Sequence, residues 1–205
     1  MEEHKRVFVT GTDTDVGKTV VSAWLVLHLN ARYWKPVQAG TDGETDAEMV
    51  RRLTGCGSDV ILPSSYQLPE PLSPHEAARR AGVDINLERF EPPDADGPLI
   101  VEGAGGVMVP LNDHVYMIDF MDALRYPIVL VSRSALGTIN HTLLSLEALR
   151  SRDIPVAGVV INGPKAPHNR EAIEEFGNVP VLAEMPPLDP LDRRSLLAVR
   201  PERDL

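Results

Sequence analysis

Residues 7–20 constrain the fold of this chain more than any other stretch. A short apolar run at residues 7–9 precedes the loop Gly11-Thr-Asp-Thr-Asp-Val-Gly-Lys-Thr19, and an amphipathic run continues to residue 29. This order predicts a strand, a phosphate-binding loop and a helix. The backbone N–H groups of the loop and of the first helical turn would then converge on one point, where the helix dipole favours an anion.

Two side chains of this loop suit a nucleotide. Lys18 adds a full positive charge, and Thr19 places a hydroxyl where a Mg²⁺ ion bridging two phosphates would sit. Gly11 and Gly17 enclose five residues, whereas the general phosphate loop has four. A glycine turn with a solvated lysine is the alternative, and the strand-like and helix-like runs on either side favour the phosphate loop.

The composition excludes several function classes. The chain has 20 basic and 30 acidic residues, a formal charge of −10, which argues against a general nucleic-acid or anionic-membrane surface. No apolar run approaches the roughly 20 residues of a membrane span, and from the residues before the first strand we expect no signal peptide. The single cysteine, Cys56, excludes an intrachain disulfide and is typical of the cytoplasm, where we expect the protein. The six histidines show no zinc-ligand spacing.

The pattern of apolar runs predicts one α/β domain over residues 1–205. We expect a P-loop NTPase-like fold, with a mostly parallel sheet and helices on both faces. Residues 58–97 are the least regular part, and 91–97 form a connector. After the first strand, we expect a second strand within residues 32–40, which ends in a Pro/Gly-rich loop. Further strands are expected at residues 98–102, 127–131, 156–161 and 179–182. Helical patterns cover residues 21–29, 45–53, 74–80, 138–150 and 193–199.

Ligands of such sheets lie beyond the carboxyl ends of the strands, so the residues there are the candidates for chemistry. Lys35 follows the second strand, and Pro36 biases it towards an extended backbone. A second lysine near the phosphates suits a transferring phosphoryl group or a substrate anion, and a solvated lysine is the alternative. Glu102 directly follows four apolar strand residues, where a carboxylate is costly without a cation partner.

Further candidates lie at helix starts and turns. Asp46 is in a first helical turn. Its carboxylate either is stabilised there by the helix dipole or joins Thr19 and Glu102 in a Mg²⁺ site. Gly137-Thr-Ile-Asn140 opens a helix and is a second anion-site candidate. Asn162 either contacts a nucleobase edge or belongs to an Asn-Gly turn.

The motifs together resemble those of the dethiobiotin synthetase family. Gly11 to Thr19, with its five-residue spacer, is the most distinctive of them. The others follow in family order across most of residues 7–162, namely Lys35-Pro-Val-Gln-Ala-Gly40, Glu70-Pro-Leu-Ser-Pro-His75, Val101-Glu-Gly-Ala-Gly-Gly106 and Leu136-Gly-Thr-Ile-Asn-His141.

The resemblance implies an ATP- and Mg²⁺-dependent ring closure in biotin synthesis. 7,8-Diaminononanoate takes up CO₂ as a carbamate, ATP phosphorylates the carbamate, and the second amine displaces phosphate to close the cyclic urea. The family is homodimeric, so the expected partners are these small molecules and a second copy of the chain.

The resemblance also implies residue roles. Lys35 and Lys18 would stabilise the reacting charges, and Thr14 would contact the carbamate. Thr19, Asp46 and Glu102 would hold Mg²⁺. The substrate site would comprise Thr14, Lys35, Ala39, Gly137, Thr138 and Asn140; family members commonly have Ser or Thr where this chain has Ala39. The nucleotide site would comprise Asp15, Val16, Gly17, Lys18, Thr19, Val20, Asp46, Glu102, Gly103, Ala104, Gly105, Asn162, Pro186, Pro187 and Leu188.

Other P-loop proteins are the alternatives. A partitioning or septum-positioning ATPase switch usually has a lysine early in the loop, where this chain has Thr12. A glutamine-dependent amidotransferase needs a Cys–His glutaminase, and Cys56 has no evident base nearby. A nucleoside kinase needs a nucleobase-substrate pocket, for which no motif is apparent.

Overall fold

The computed structural model of the chain describes residues 6–91 and 97–203. The strands are β1 (Arg6–Gly11), β2 (Arg32–Trp34), β3 (Val37–Ala39), β4 (Ile61–Leu62), β5 (Tyr66–Leu68), β6 (Leu99–Gly106), β7 (Ile128–Arg133), β8 (Val156–Asn162) and β9 (Val181–Met185). The helices are α1 (Lys18–Leu29), α2 (Asp46–Thr54), α3 (Pro74–Ala81), α4 (Met117–Leu124), α5 (Thr138–Arg150), α6 (Pro167–Gly177) and α7 (Arg193–Ala198), with a 3₁₀ turn at Leu87–Arg89.

A seven-stranded sheet in the order β4-β2-β6-β1-β7-β8-β9 forms the centre of the molecule. Its neighbouring strands pair in parallel. The central strands are apolar on both faces, as expected for strands covered by helices on each side. The predicted α/β class with a mostly parallel sheet is confirmed.

Side-chain alternation divides the core between the two faces of the sheet. Phe8, Trp34 and Val101 pack with α3, α4, α5 and α6. Tyr33 and Ile100 lie on the opposite face, in the cluster that includes residues of α1, α2 and α7. Packing of the two cores therefore fixes the face to which each strand side chain points, and so the direction of the residues that follow these strands.

The second strand is shorter than expected, and part of the Pro/Gly-rich loop expected after it forms a strand of its own. Pro36 separates β2, which belongs to the main sheet, from β3, which pairs with β5 in a separate two-stranded sheet. Proline has no N–H to donate to a ladder, whereas its carbonyl accepts a bond from Tyr66 N at 2.9 Å. Lys35 thus lies where the chain passes from one sheet to the other.

Other boundaries also differ from the sequence-based expectations. The run Gly103 to Gly106 lies beyond the expected strand at 98–102 but continues β6, because it pairs onward with β1 through a register shift. The last strand begins and ends later than expected, and α4 and α6 were not predicted. Residues 58–91 contain more regular structure than expected, and residues 92–96 of the expected connector lie outside the described part. The helices expected at 45–53, 74–80, 138–150 and 193–199 are confirmed within one residue at each end.

Within the described ranges 6–91 and 97–203, no helix has the length and apolarity needed to cross a membrane.

Candidate active site

The phosphate loop connects the carboxyl end of β1 to the first turn of α1. Gly17 caps α1 with φ at +94°, a left-handed conformation that favours glycine. A Cβ at Gly17 would lie only 2.1 Å from Nδ2 of Asn162, so a side chain does not fit there. Asp13, Thr14 and Asp15 are exposed, whereas Val16 is buried.

Lys18 is buried at the start of α1. Its Nζ donates a hydrogen bond to the carbonyl oxygen of Asp13, 3.0 Å away, so the ammonium is folded over the loop. Burial lowers the pKa of Lys18, and the nearby positive charge of Lys35 lowers that pKa further. An anionic phosphate in the loop would stabilise the charged ammonium and so offset the effects of burial and of Lys35 on this pKa.

Four side chains from separate segments meet beside this loop. Thr19 Oγ1 donates to Asp46 Oδ1 at 2.6 Å and lies 3.1 Å from Glu102 Oε1. Lys35 Nζ lies 2.7 Å from Asp46 Oδ2 and 3.0 Å from Glu102 Oε1. The ammonium thus bridges both carboxylates, and its contact to Gly103 O is longer, at 3.4 Å.

The charges of this cluster stabilise one another. Burial alone would lower the pKa of Lys35, but Glu102 and Asp46 outweigh burial and raise that pKa. Burial would likewise raise the pKa of Asp46, and the Lys35 ammonium outweighs it and lowers that pKa. Lys35 is therefore cationic and Asp46 anionic at neutral pH.

The N-terminus of α2 positions Asp46. Thr45 caps this helix: its hydroxyl accepts from Glu48 N at 3.3 Å, while the Glu48 carboxylate accepts from Thr45 N at 2.8 Å. Gln38, which is buried on β3, accepts a hydrogen bond from the backbone N–H of Asp46 at 3.2 Å. These contacts turn the Asp46 carboxylate towards Thr19 and Lys35.

The chemistry of these donors fits a magnesium ion. Thr19, Asp46 and Glu102 offer hydroxyl and carboxylate oxygens, the ligands that Mg²⁺ prefers, and two carboxylate oxygens lie within 3.1 Å of one hydroxyl. No group of three or more His, Cys, Asp or Glu side chains suited to a metal occurs among the residues described. A magnesium site at Thr19, Asp46 and Glu102 would therefore need further oxygens from phosphate and water, as Mg²⁺ sites at nucleotides commonly do.

The predicted nucleotide residues lie along the same edge of the sheet. Gly103, Ala104 and Gly105 follow Glu102 on β6, with Gly105 at φ +66°. Residues 186–188 directly follow β9, whose Met185 pairs with Asn162 on β8. In addition, Val20, in the first turn of α1, packs against the core.

Asn162 contacts the phosphate loop. Its Nδ2 donates to the carbonyl oxygen of Val16 at 2.9 Å. This bond explains why a side chain at Gly17 would collide with the amide. We expected Asn162 either to contact a base or to belong to a turn, and neither expectation anticipated this contact with the loop.

A cavity of about 430 Å³ borders the phosphate loop. Thr12, Asp13 and Thr14 form one wall, and residues 106–109 form a second. The third wall is α5, through His141, Leu144, Ser145 and Ala148.

The remaining predicted substrate residues do not line this cavity. Gly137 and Asn140 are exposed at the N-terminus of α5, one turn from the cavity wall. Thr138 is buried, and its Oγ1 has no hydrogen-bond partner among the described residues. Ala39 ends β3 and packs against the core, outside the main sheet.

Three further contacts of the site were not anticipated from sequence. Arg133, the last residue of β7, forms an ion pair with Asp13 of the phosphate loop. The Asp13 carboxylate also accepts from Thr14 N at 2.8 Å. Tyr33 OH donates to Glu102 Oε2 at 2.9 Å. Tyr33 lies two residues before Lys35, and residues two apart in a strand point to the same face of the sheet. This period could have predicted that Tyr33 lies near the site.

Comparison with known sequences identifies relatives over almost the whole chain. A family model described as "AAA domain" matches residues 5–195. An ATP-dependent dethiobiotin synthetase BioD of Paramagnetospirillum magneticum is 56% identical over 195 residues, covering 95% of this chain and 94% of the relative. The enzyme of the same name from Rhodopseudomonas palustris strain BisB18 is 50% identical, covering 94% and 92%.

Solved structures with the same fold are more distant in sequence. The septum site-determining protein MinD of Pyrococcus horikoshii, complexed with Mg-ADP, aligns with a TM-score of 0.57 at 15% identity, covering 96% of this chain and 86% of that one. The cell division ATPase MinD of Pyrococcus furiosus aligns with a TM-score of 0.56 at 18% identity, covering 97% and 89%. At these identities the likeness concerns the fold alone.

Proposed function

The chain belongs to the ATP-dependent dethiobiotin synthetase family, and we propose that it closes the ureido ring of dethiobiotin from 7,8-diaminononanoate, CO₂ and ATP. The relatives at 50–56% identity cover more than nine tenths of the chain and carry this name. The observation that supports the chemistry is the buried cluster of Lys35, Asp46 and Glu102 beside the phosphate loop. We propose that residues 1–205 act as one catalytic domain.

Charge is the main requirement of the reaction. One substrate amine adds to CO₂ to form a carbamate, which attacks the terminal phosphorus of ATP and releases ADP. The second amine then attacks the carbamoyl carbon, the C–O bond to phosphate breaks, and the amine proton is lost. Negative charge on the transferring phosphoryl oxygens is stabilised by fixed cations, which we assign to Lys18 and Lys35.

Lys35 is the proposed catalytic residue. Its ammonium stays charged because two carboxylates raise its pKa, and Pro36 fixes the chain directly after it. Thr14, exposed in the loop and bonded through its N–H to Asp13, is proposed to contact the carbamate. The same loop wall faces the cavity beside α5.

Thr19, Asp46 and Glu102 are proposed to hold Mg²⁺ together with phosphate and water oxygens. When bound, the ion neutralises phosphate charge and orients the terminal phosphoryl group. Lys35 contacts the same two carboxylates, so lysine and metal share the anionic charge of one cluster.

The nucleotide is proposed to lie along the carboxyl edge of the sheet. Backbone N–H groups from Asp15 to Val20 would cradle the phosphates. Glycines and Ala104 in the run 103–105 would allow close approach, and Asn162 with residues 186–188 would border the base.

The diamine is proposed to occupy the cavity between the phosphate loop and α5. Its aliphatic chain suits walls formed by residues such as Val107, Met108 and Leu144. Its carboxylate would reach the start of α5 near Gly137, Thr138 and Asn140, where the helix dipole favours an anion. Ala39 supplies no hydroxyl, so we expect Thr41 or the loop to compensate at the carbamate.

A homodimer is the proposed assembly, and the cytoplasm the proposed compartment. Met108, Leu136 and Leu144 are large apolar side chains that are exposed near the cavity, and a second copy would cover them. Sedimentation velocity should show a dimer at micromolar concentration. Leu144→Glu should weaken it, whereas Phe176→Glu, at an exposed site on α6, should not. A monomeric wild type would contradict the assembly.

The function is tested by reconstitution from purified components. Phosphate release from ATP should require the diamine, bicarbonate and Mg²⁺ together, and mass spectrometry should find dethiobiotin in equal amount to phosphate. Omission of each component in turn supplies the controls. Equal ATP turnover without the diamine would overturn the proposal and favour an ATPase switch, the class of the distant MinD structures.

A further inference from the structure

Tyr33 is a buried side chain that touches the proposed metal site, and the proposed function has not used it. Its hydroxyl donates to Glu102 Oε2 at 2.9 Å, and both residues are fully buried. The other carboxylate oxygen, Oε1, faces Thr19 at 3.1 Å and Lys35 at 3.0 Å. The two oxygens of Glu102 therefore have different partners.

The sheet register creates this contact. Tyr33 on β2 pairs with Ile100 on β6 in parallel. Glu102 is two residues beyond Ile100, so it emerges on the same face as Tyr33. Lys35 follows Tyr33 by two residues, which places the hydroxyl and the ammonium on either side of one carboxylate.

The hydroxyl limits how Glu102 presents its oxygens. A carboxylate has no proton to donate, so Tyr33 must be the donor and Oε2 the acceptor. Rotation of the carboxylate would break this bond in a fully buried place, leaving a polar atom without a partner. Oε1 is thereby kept towards Thr19 and Lys35.

We propose that Tyr33 is a positioning residue that holds Glu102 so that it offers the single oxygen Oε1 to the divalent cation. This inference rests on the proposed function only in taking Glu102 as a metal ligand. Partners that orient metal ligands commonly change metal affinity by about 10- to 100-fold when removed. Tyr33→Phe removes the hydroxyl and keeps the ring that fills the core.

The test is a titration of the ADP-bound protein with Mn²⁺, a cation that also prefers oxygen ligands. Electron paramagnetic resonance of free Mn²⁺ measures its affinity without turnover. Tyr33→Phe should weaken Mn²⁺ binding about tenfold and leave the affinity for ADP without metal unchanged. An unchanged Mn²⁺ affinity would overturn the inference.

Tyr66→Phe is the matched control. Tyr66 is also buried, and its hydroxyl accepts from Asn86 N at 3.0 Å, in a part of the molecule away from Glu102. This variant should bind Mn²⁺ as the wild type does. If both variants weaken the metal equally, loss of a buried hydroxyl acts through general stability and the inference fails.

A double-variant cycle separates this inference from the metal site itself. Glu102→Gln should weaken Mn²⁺ binding, and adding Tyr33→Phe should then cause no further loss. If Glu102→Gln leaves the affinity unchanged, the metal assignment fails and the inference with it. If Glu102→Gln weakens binding but Tyr33→Phe does not, only the inference about Tyr33 fails.

Discussion

The ammonium nitrogen of Lys35 lies 2.7 Å from Oδ2 of Asp46, which comes from a different segment of the chain. The same nitrogen lies 3.0 Å from Oε1 of Glu102. A lysine buried in this way would otherwise lose its proton readily, but the two carboxylates keep it charged. The cluster therefore provides a fixed positive charge. Removal of the lysine or of a carboxylate should change both turnover and stability.

Lys35→Ala is expected to lower turnover by about 100- to 1,000-fold, because a preorganised charge on the transferring group is lost. Affinity for ATP should stay within about twofold, since the loop N–H groups and Lys18 remain. Phosphate release and calorimetric ATP binding measure the two effects. Arg51→Ala, at an exposed site on α2, is the control and should change neither. Loss of ATP binding in Lys35→Ala would reassign this lysine to the nucleotide.

The same variant should destabilise the protein in the absence of metal. Removal of one partner from a buried ion pair leaves an uncompensated charge, which costs about 3 kcal/mol. Glu102 is fully buried and would carry most of this penalty. Urea denaturation should show the loss, and Mg²⁺ with ADP should recover part of it because the metal replaces the missing positive charge. No recovery with metal would argue against carboxylate ligation.

Glu102→Gln is expected to shift the Mg²⁺ dependence of turnover to higher concentration, by about tenfold or more. An amide is close in shape to a carboxylate but carries no charge for the cation. Phosphate release measured across a Mg²⁺ titration gives the shift. Glu76→Gln, which alters an ion pair with Arg79 at the surface of α3, should give the wild-type curve. An unchanged titration for Glu102→Gln would remove this residue from the metal site.

ATP binding should take up protons at alkaline pH through Lys18. Burial, followed by Lys35, lowers the pKa of Lys18 below its ordinary value of 10.5 in the free protein. Phosphate raises that pKa again, so the bound state holds more protons between the two values. Affinity should therefore fall as pH rises through the lowered pKa. Calorimetry in buffers of different ionisation enthalpy measures the uptake; Lys18→Arg should abolish it, because arginine stays charged. Equal proton uptake in Lys18→Arg would contradict the assignment.

Asn162→Leu should distinguish loop anchoring from recognition of the base. The amide donates to Val16 O at 2.9 Å, and loss of one such bond is worth about 1 kcal/mol, or roughly fivefold in affinity. If anchoring is its role, ATP and inorganic tripolyphosphate should lose affinity by the same factor. Competition titrations measure both ligands. A loss confined to ATP would assign the side chain to the base instead.

Much of the fold was predictable because its signals are local. The apolar run before Gly11, the Gly-Lys-Thr sequence and the helical pattern after it all predict the same strand, loop and helix. The capping residues of α2 were likewise predictable, as Thr45 precedes Glu48 by three positions. The separate strand that follows Pro36 was missed, because a short apolar run does not reveal which sheet it joins.

The candidate residues, and the grouping of Thr19 with Asp46 and Glu102, were predictable, whereas other contacts of the site were not. Residue type and position after an apolar run were enough to single out Lys35 and Glu102. The contact of Tyr33 with Glu102 depends on the pairing of β2 with β6, and the Arg133–Asp13 pair joins residues 120 positions apart.

The sequence by itself determined the phosphate loop, the parallel α/β class and the family to which the chain belongs. Only the tertiary structure decided that one ammonium bridges two carboxylates, that Tyr33 donates to Oε2 of Glu102, and that the Asn162 amide contacts the phosphate loop. Local preferences follow from neighbouring residues, whereas these contacts depend on strand register and sheet order. Those are set by the burial of side chains from distant segments in one core.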